Sequence, residues 1–147
     1  HPIYNNCFPH IDSFLENGYT KEEDKMINET RKILSLPDLP ITATCVRIPV
    51  LNGHSVAINV TLEQEPTIEE LQEILGNFDG ICLEDTPSAN QYPMPLKANG
   101  TDLVWVGRIR KDQSLPNTYH IWSVADNIRK GAASNAVQIA CRIIQNQ

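Results

Sequence analysis

The stretch ITATCVRIPVLNGHSVAINVTL, residues 41–62, decides how the fold is read. Its first half, Ile41 to Val50, is rich in β-branched residues and predicts a strand. Its second half alternates. Val56, Ile58, Val60 and Leu62 fall on one face, and Ala57, Asn59 and Thr61 on the other, the period-2 pattern of a half-buried strand over His54 to Leu62. Asn52-Gly53 between them is a turn signal. The two strands read as a hairpin-like pair, with Pro49 making the connection irregular.

Upstream, Thr20 and Glu23 form a capping box, and Met26, Ile27, Thr30, Ile33 and Leu34 follow at helical spacing. A helix over Thr20 to Leu34 is expected, ended by Pro37 and Pro40. Downstream, a second capping box, Thr67 with Glu70, opens a helix to about Leu75, with Gly76 as its stop. A short strand at Ile81 to Glu84 leads into a Pro-rich loop, Pro87 to Pro95. Leu103 to Arg110 and Thr118 to Ala125 read as further strands. Asn127 to about Ile144 reads as a helix with Ile128, Ala132, Ala136, Val137, Ala140 and Ile143 on one stripe. This pattern predicts an α+β domain: a mixed, largely antiparallel sheet with helices on one face. A sheet face left bare would need a partner, which points to dimerisation.

The chain has 147 residues, the size of one domain, and can bury roughly 68–70% of the surface its unfolded form exposes. Hydrophobic residues make up 41% and charged residues 20%, which excludes a disordered tail. Twelve basic against eighteen acidic residues give a formal charge of -6, without the electrostatic footprint of a nucleic-acid binder. No apolar run approaches the roughly 20 residues of a membrane span. The first residues, His1-Pro2-Ile3-Tyr4, contain neither Met nor a signal peptide, and read as a piece of a longer chain or a processed form. Cys7, Cys45, Cys82 and Cys141 are scattered, with no C-x-x-C pair, and three N-x-T sequons (Asn28, Asn59, Asn99) fit chance occurrence. A reduced, cytoplasmic protein is expected.

Chemistry concentrates around Arg47-Ile48-Pro49-Val50-Leu51-Asn52-Gly53-His54, where an arginine and a histidine bracket a turn. Arginine offers a planar fork for a carboxylate, and histidine passes protons near neutrality. A surface arginine beside a strand-start histidine is the plainer alternative. Glu22 and Lys25 lie three residues apart on one helix face, as a solvated ion pair or as a site. Glu23 is accounted for by the capping box. His10, His54 and His120 lack metal-ligand spacing, so no metal is expected, and no glycine-rich phosphate loop is present. Trp105 and Trp122 fall in strands, as core or interface. Asp126 to Asn135 packs small residues into a helix start, for a ligand or simply for helix packing.

TATCVRIPVLNGH, from Thr42 to His54, resembles the segment of the aspartate-semialdehyde dehydrogenase family that holds its substrate arginine and catalytic histidine. NCFPHIDSF (6–14), NGYTKEEDKMINETRKIL (17–34), VGRIR (106–110) and ADNIRKGAASNAVQIA (125–140) resemble further family segments in the same order. The resemblance implies the C-terminal, substrate-binding and dimerisation half (residues 1–147) of an enzyme like glyceraldehyde-3-phosphate dehydrogenase in architecture, without the N-terminal NADP-binding domain. It implies a homodimer through the sheet, and an enzyme that reduces aspartyl phosphate to aspartate semialdehyde with NADPH and releases phosphate, a step toward lysine, methionine and threonine.

By the same resemblance, Arg47 clamps the substrate α-carboxylate, Glu22 accepts its ammonium, Lys25 helps bind phosphate, and His54 is the acid/base. Asn135 matches a residue near the nicotinamide. The family's nucleophilic cysteine has no counterpart here, and Cys45 does not occupy its place. The 147 residues alone are therefore expected to lack dehydrogenase activity. Two alternatives are the related N-acetyl-γ-glutamyl-phosphate reductase, whose substrate has no free ammonium for Glu22, and a standalone dimerisation domain.

Overall fold

The structure is a computed structural model and describes residues 1–145. The chain divides into two compact units, His1–Pro49 and Val50–Gln147.

The first unit is built on helix α1, Lys21–Leu34. Its capping box forms as the sequence predicts. The Glu23 N–H donates to Thr20 Oγ1 (3.3 Å), and the Thr20 N–H donates to Glu23 Oε2 (2.8 Å). Ser35 closes the helix in the left-handed conformation, φ 56°. The Glu23 carboxylate also reaches beyond the helix, where its Oε1 accepts the Cys45 N–H at 2.8 Å. The buried residues of this unit are Thr20, Glu23 and Cys45, so its centre is a polar knot rather than an apolar core.

Ile41 to Val50 does not form the expected strand. Its sole pairing is a bridge in which Phe8 and Arg47 exchange backbone hydrogen bonds of 3.2 and 2.9 Å. A strand needs a ladder partner. Here Pro9 follows Phe8 and Pro49 follows Ile48, and neither can donate. β propensity without a neighbour is not enough.

The second unit is a four-stranded sheet. Strand β1 is His54–Thr61, β2 Ile81–Leu83, β3 Val104–Lys111 and β4 Thr118–Ala125, in the order β1-β4-β3-β2. β1 therefore pairs not with residues 41–50 but with β4, antiparallel, from His54↔Ala125 to Thr61↔Thr118. β3 and β4 are antiparallel, and β2 joins β3 in parallel, giving the mixed, largely antiparallel sheet of an α+β fold.

Helix α2, Ile68–Gly76, starts from the second capping box, and Gly76 is its last residue rather than the residue after it. It lies over the face that carries Tyr119, whose hydroxyl donates to Pro66 O (2.6 Å) just ahead of the helix. Trp122, three residues along β4, points to the opposite face. Its Nε1–H donates to Pro93 O at 3.0 Å, in the Pro-rich loop, which contains a 3₁₀ turn, Pro87–Ala89, and leads into the single helical turn α3, Pro95–Ala98. Trp105 donates to Thr101 Oγ1 in the segment after α3. The last helix, α4, spans Ser134–Gln145 and is preceded by a π-helical turn, Arg129–Ala133.

Two features of β3 shape the sheet. A bulge between Gly107 and Arg110 places Arg108 at φ 55°, and the Asp85 carboxylate accepts the Arg108 and Ile109 N–H groups at 2.7 and 3.1 Å. At Gly107, opposite Trp122, a Cβ would collide with the Glu84 carbonyl oxygen and lie 2.8 Å from Pro93 Cδ. Gly107→Ala is expected to destabilise the fold by about 3 kcal/mol or more, because backbone must move. Urea unfolding of the pair of proteins measures this, and an unchanged midpoint would refute it.

The buried Glu23 carboxyl is held below its ordinary value of 4.5, first by the Thr20 N–H and then by the Cys45 N–H, against burial, which acts the other way. The folded state prefers the carboxylate. Its contribution is present above about pH 4.5 and lost as pH falls through the lower folded-state value. Helical circular dichroism followed from pH 6 to pH 2 should show an acid limb in the native protein. In Glu23→Gln that limb is shallower, and the protein is less stable at pH 6.

Candidate active site

Glu22 projects from the first turn of α1 and Lys25 from the start of the second, just after the capping residue that fixes where the helix begins. Lys25 Nζ lies 3.4 Å from the Glu22 carboxylate, and both side chains reach solvent. An exposed pair at this spacing contributes only a few tenths of a kcal/mol. An arriving ligand with an ammonium and an anionic group can therefore separate it at small cost.

Arg47 belongs to the same unit. Its backbone is tied on both sides: it bridges Phe8, and Cys45, two residues earlier, is bonded to Glu23 in the first turn of α1. Among the described residues no carboxylate lies within ion-pair distance of its guanidinium, which is exposed. The fork is thus free to take a carboxylate.

His54 and Asn135 belong to the second unit. His54 is the first residue of β1, is exposed, and lies opposite Ala125 in register. The turn before it is set by Gly53, at φ 96°, whose N–H donates to Asn127 Oδ1 at 2.8 Å. Asp126, buried, accepts N–H groups from Gly100 (2.8 Å), Ile128 (2.9 Å) and Arg129 (3.2 Å), and these hold its carboxyl below the usual range, Gly100 foremost. Asn135, in the first turn of α4, is half-buried. The sequence reading places Asn127 at a helix start, within the Asp126 to Asn135 stretch, and does not give it this contact with Gly53. The available signal was an Asp-Asn pair at a strand end, a composition typical of loops and caps as well as sites.

Cys45 is ill-suited to nucleophilic attack. Burial raises its thiol pKa, and the nearby Glu23 and Glu22 charges raise it further. Its Sγ sits 3.4 Å from Met26 Sδ. Cys82 is likewise raised by burial and by Glu84. All four cysteines are free thiols. Among the described residues no three His, Cys, Asp or Glu side chains gather as a metal site, and no helix is long and apolar enough to cross a membrane.

Residues 1–130 match the family described as semialdehyde dehydrogenase, dimerisation domain. The chain is 55% identical over 140 residues to an aspartate-semialdehyde dehydrogenase of Aquifex aeolicus, covering 95% of this chain and 41% of that relative. The Bacillus subtilis aspartate-semialdehyde dehydrogenase is 50% identical over 136 residues, 92% of this chain and 39% of the relative. The chain thus spans about two-fifths of the length of these relatives. Among solved structures, aspartate semialdehyde dehydrogenase II from Vibrio cholerae, complexed with ASA, superposes with a TM-score of 0.89 at 44% identity, over 96% of this chain and 41% of that one. The Candida albicans enzyme with NADP gives a TM-score of 0.65 at 25% identity, over 85% and 40%. By these matches, carried along nearly its whole length, the chain belongs to the semialdehyde dehydrogenase dimerisation-domain family.

Proposed function

We propose that residues 1–147 are the substrate-binding and dimerisation domain of an aspartate-semialdehyde dehydrogenase, which reduces aspartyl phosphate to aspartate semialdehyde with NADPH. The observation that carries this reading is the 55% identity, over 95% of the chain, to a relative of that name. In this reading the enzyme serves lysine, methionine and threonine synthesis and works in the cytoplasm, a reducing compartment that suits its four free thiols.

The residue types match the charges of the substrate. Arg47 takes the α-carboxylate through two parallel hydrogen bonds. Glu22 accepts the α-ammonium, and Lys25, released from Glu22, faces the phosphate. This division explains why opposite charges stand one turn apart on α1. His54 carries protons at the reacting carbon, as a general acid and base. By the family resemblance the attacking cysteine comes from outside these residues, and Cys45, buried with a raised pKa, is unsuited to the part. NADP supplies the hydride when bound to the full enzyme. The residues present do not make a dinucleotide site: there is no glycine-rich strand-to-helix turn among them, and Asn135 offers one amide. Their part is to bind substrate and move protons.

Dimerisation is assigned to the sheet. β1 is an edge strand with Ile58 exposed, so it offers both a free edge and apolar surface to a second copy. Light scattering of this chain should show a dimer persisting at low micromolar concentration, and a monomer there would overturn this assignment.

The catalytic assignment is tested in a chain restored to full length with the upstream part of the Aquifex aeolicus relative. Arg47→Ala should lower kcat/KM about 10²- to 10³-fold, mostly through KM. His54→Gln should lower kcat about 10²- to 10⁴-fold. Near-normal rates in either variant would remove that residue from the site.

A further inference from the structure

The start of β1 is held by a side chain where the backbone ladder stops. His54 faces Ala125 in register, so the next position places Gly53 opposite Asp126. Rungs alternate along an antiparallel pair, and the Leu62 N–H bonds Asn117 O, so 54/125 is a hydrogen-bonded position and 53/126 is not: the Gly53 N–H faces away from the Asp126 carbonyl, which accepts the Gly131 N–H (3.2 Å). The Gly53 N–H turns instead to Asn127 Oδ1, at 2.8 Å. The amide of Asn127 thus satisfies an N–H that the ladder does not use. Gly53 itself needs this restraint. It is in the left-handed region, φ 96°, and a Cβ there would lie 3.3 Å from the Ala125 carbonyl oxygen, so no larger residue could stiffen the turn cheaply.

The rest of the surroundings is pinned by the same corner of the chain. The Asp126 carboxylate accepts the Gly100 N–H, and Asn52, ahead of Gly53, donates from Nδ2 to Asn99 Oδ1 at 3.2 Å. The turn before His54 and the turn after α3 therefore both hang on the end of β4 or on each other. Of these bonds, the one from Gly53 to Asn127 acts on the residue adjoining His54.

We propose that Asn127 is a positioning residue for His54: by accepting the Gly53 N–H, it fixes the backbone from which the imidazole projects. This rests on the assignment of His54 as the acid/base. A proton-transfer group displaced by about 1 Å can lose on the order of 10²-fold in rate, so a bond one residue away from it matters to kcat more than to substrate binding.

The experiment uses the full-length chimaera and compares Asn127→Leu, Asn127→Asp and His54→Gln by kcat, KM, pH profile and melting temperature. Leucine removes the acceptor at similar size, while aspartate keeps it. Asn127→Leu is expected to lower kcat about 10- to 100-fold with KM within about threefold. Asn127→Asp should stay within about threefold of the native kcat, with the ionisation that controls kcat moved upward by the added negative charge. If Asn127→Leu does not fold, Asn127→Ser, whose shorter side chain falls short of Gly53, is read in the same way. Native kcat in Asn127→Leu beside a crippled His54→Gln would overturn the positioning role while leaving His54 in place. Equal loss in the leucine and aspartate variants would overturn it as well, because the acceptor would then not matter. A native rate in His54→Gln would overturn the acid/base assignment, and the proposal with it.

Discussion

The first unit depends on one carboxylate. Glu23 accepts an N–H from Thr20 through one oxygen and from Cys45 through the other. The first bond sets where α1 begins, and hence which way Glu22 and Lys25 project. The second ties an irregular segment to that helix end and so restrains Arg47, two residues further on. A buried carboxylate without partners would be costly, but with both oxygens occupied by N–H groups the site is stable and rigid. Around it the unit buries little apolar surface, and Phe14, Ile33 and Leu34, among other large apolar residues, are exposed. Geometry here comes from hydrogen bonds more than from packing.

The second unit repeats the device at other places. Asp85 collects the two N–H groups that the β3 bulge releases, and Asp126 collects those of the turn after α3 and of the start of the last helical segment. Asn127 ties down the turn before β1 with its side chain. In each case a short acidic or amide side chain satisfies backbone donors that the sheet cannot, which is what allows loops to be held still beside it. The apolar sheet provides the stability and the side-chain carbonyls provide the placement.

This division also explains the candidate site. Lys25 and Arg47 are exposed and Glu22 is half-buried, while the backbone beneath them is bonded to buried or half-buried groups. Exposed ends are free to meet a ligand, and their roots are not free to wander. Side chains rooted in this way lose less conformational freedom on meeting a ligand.

Much of this was legible in the residues. Both capping boxes, at Thr20/Glu23 and Thr67/Glu70, and the alternation through β1 are written over three to eight positions, so local chemistry decides them. The candidate residues Arg47, His54, Glu22 and Lys25 were singled out by residue type, spacing and family likeness. What only the tertiary structure decided are the long-range partners. Ile41 to Val50 has the composition of a strand but finds only Phe8 to bridge, while β1 finds β4 more than fifty residues away. Glu23 bonds Cys45, twenty-two residues on, and Asn127 bonds Gly53, seventy-four residues back. The physical reason is the same in each case. A cap or a period is satisfied within a few residues, so it can be read from them, whereas a lone N–H or a strand edge can be satisfied by any group the fold brings near.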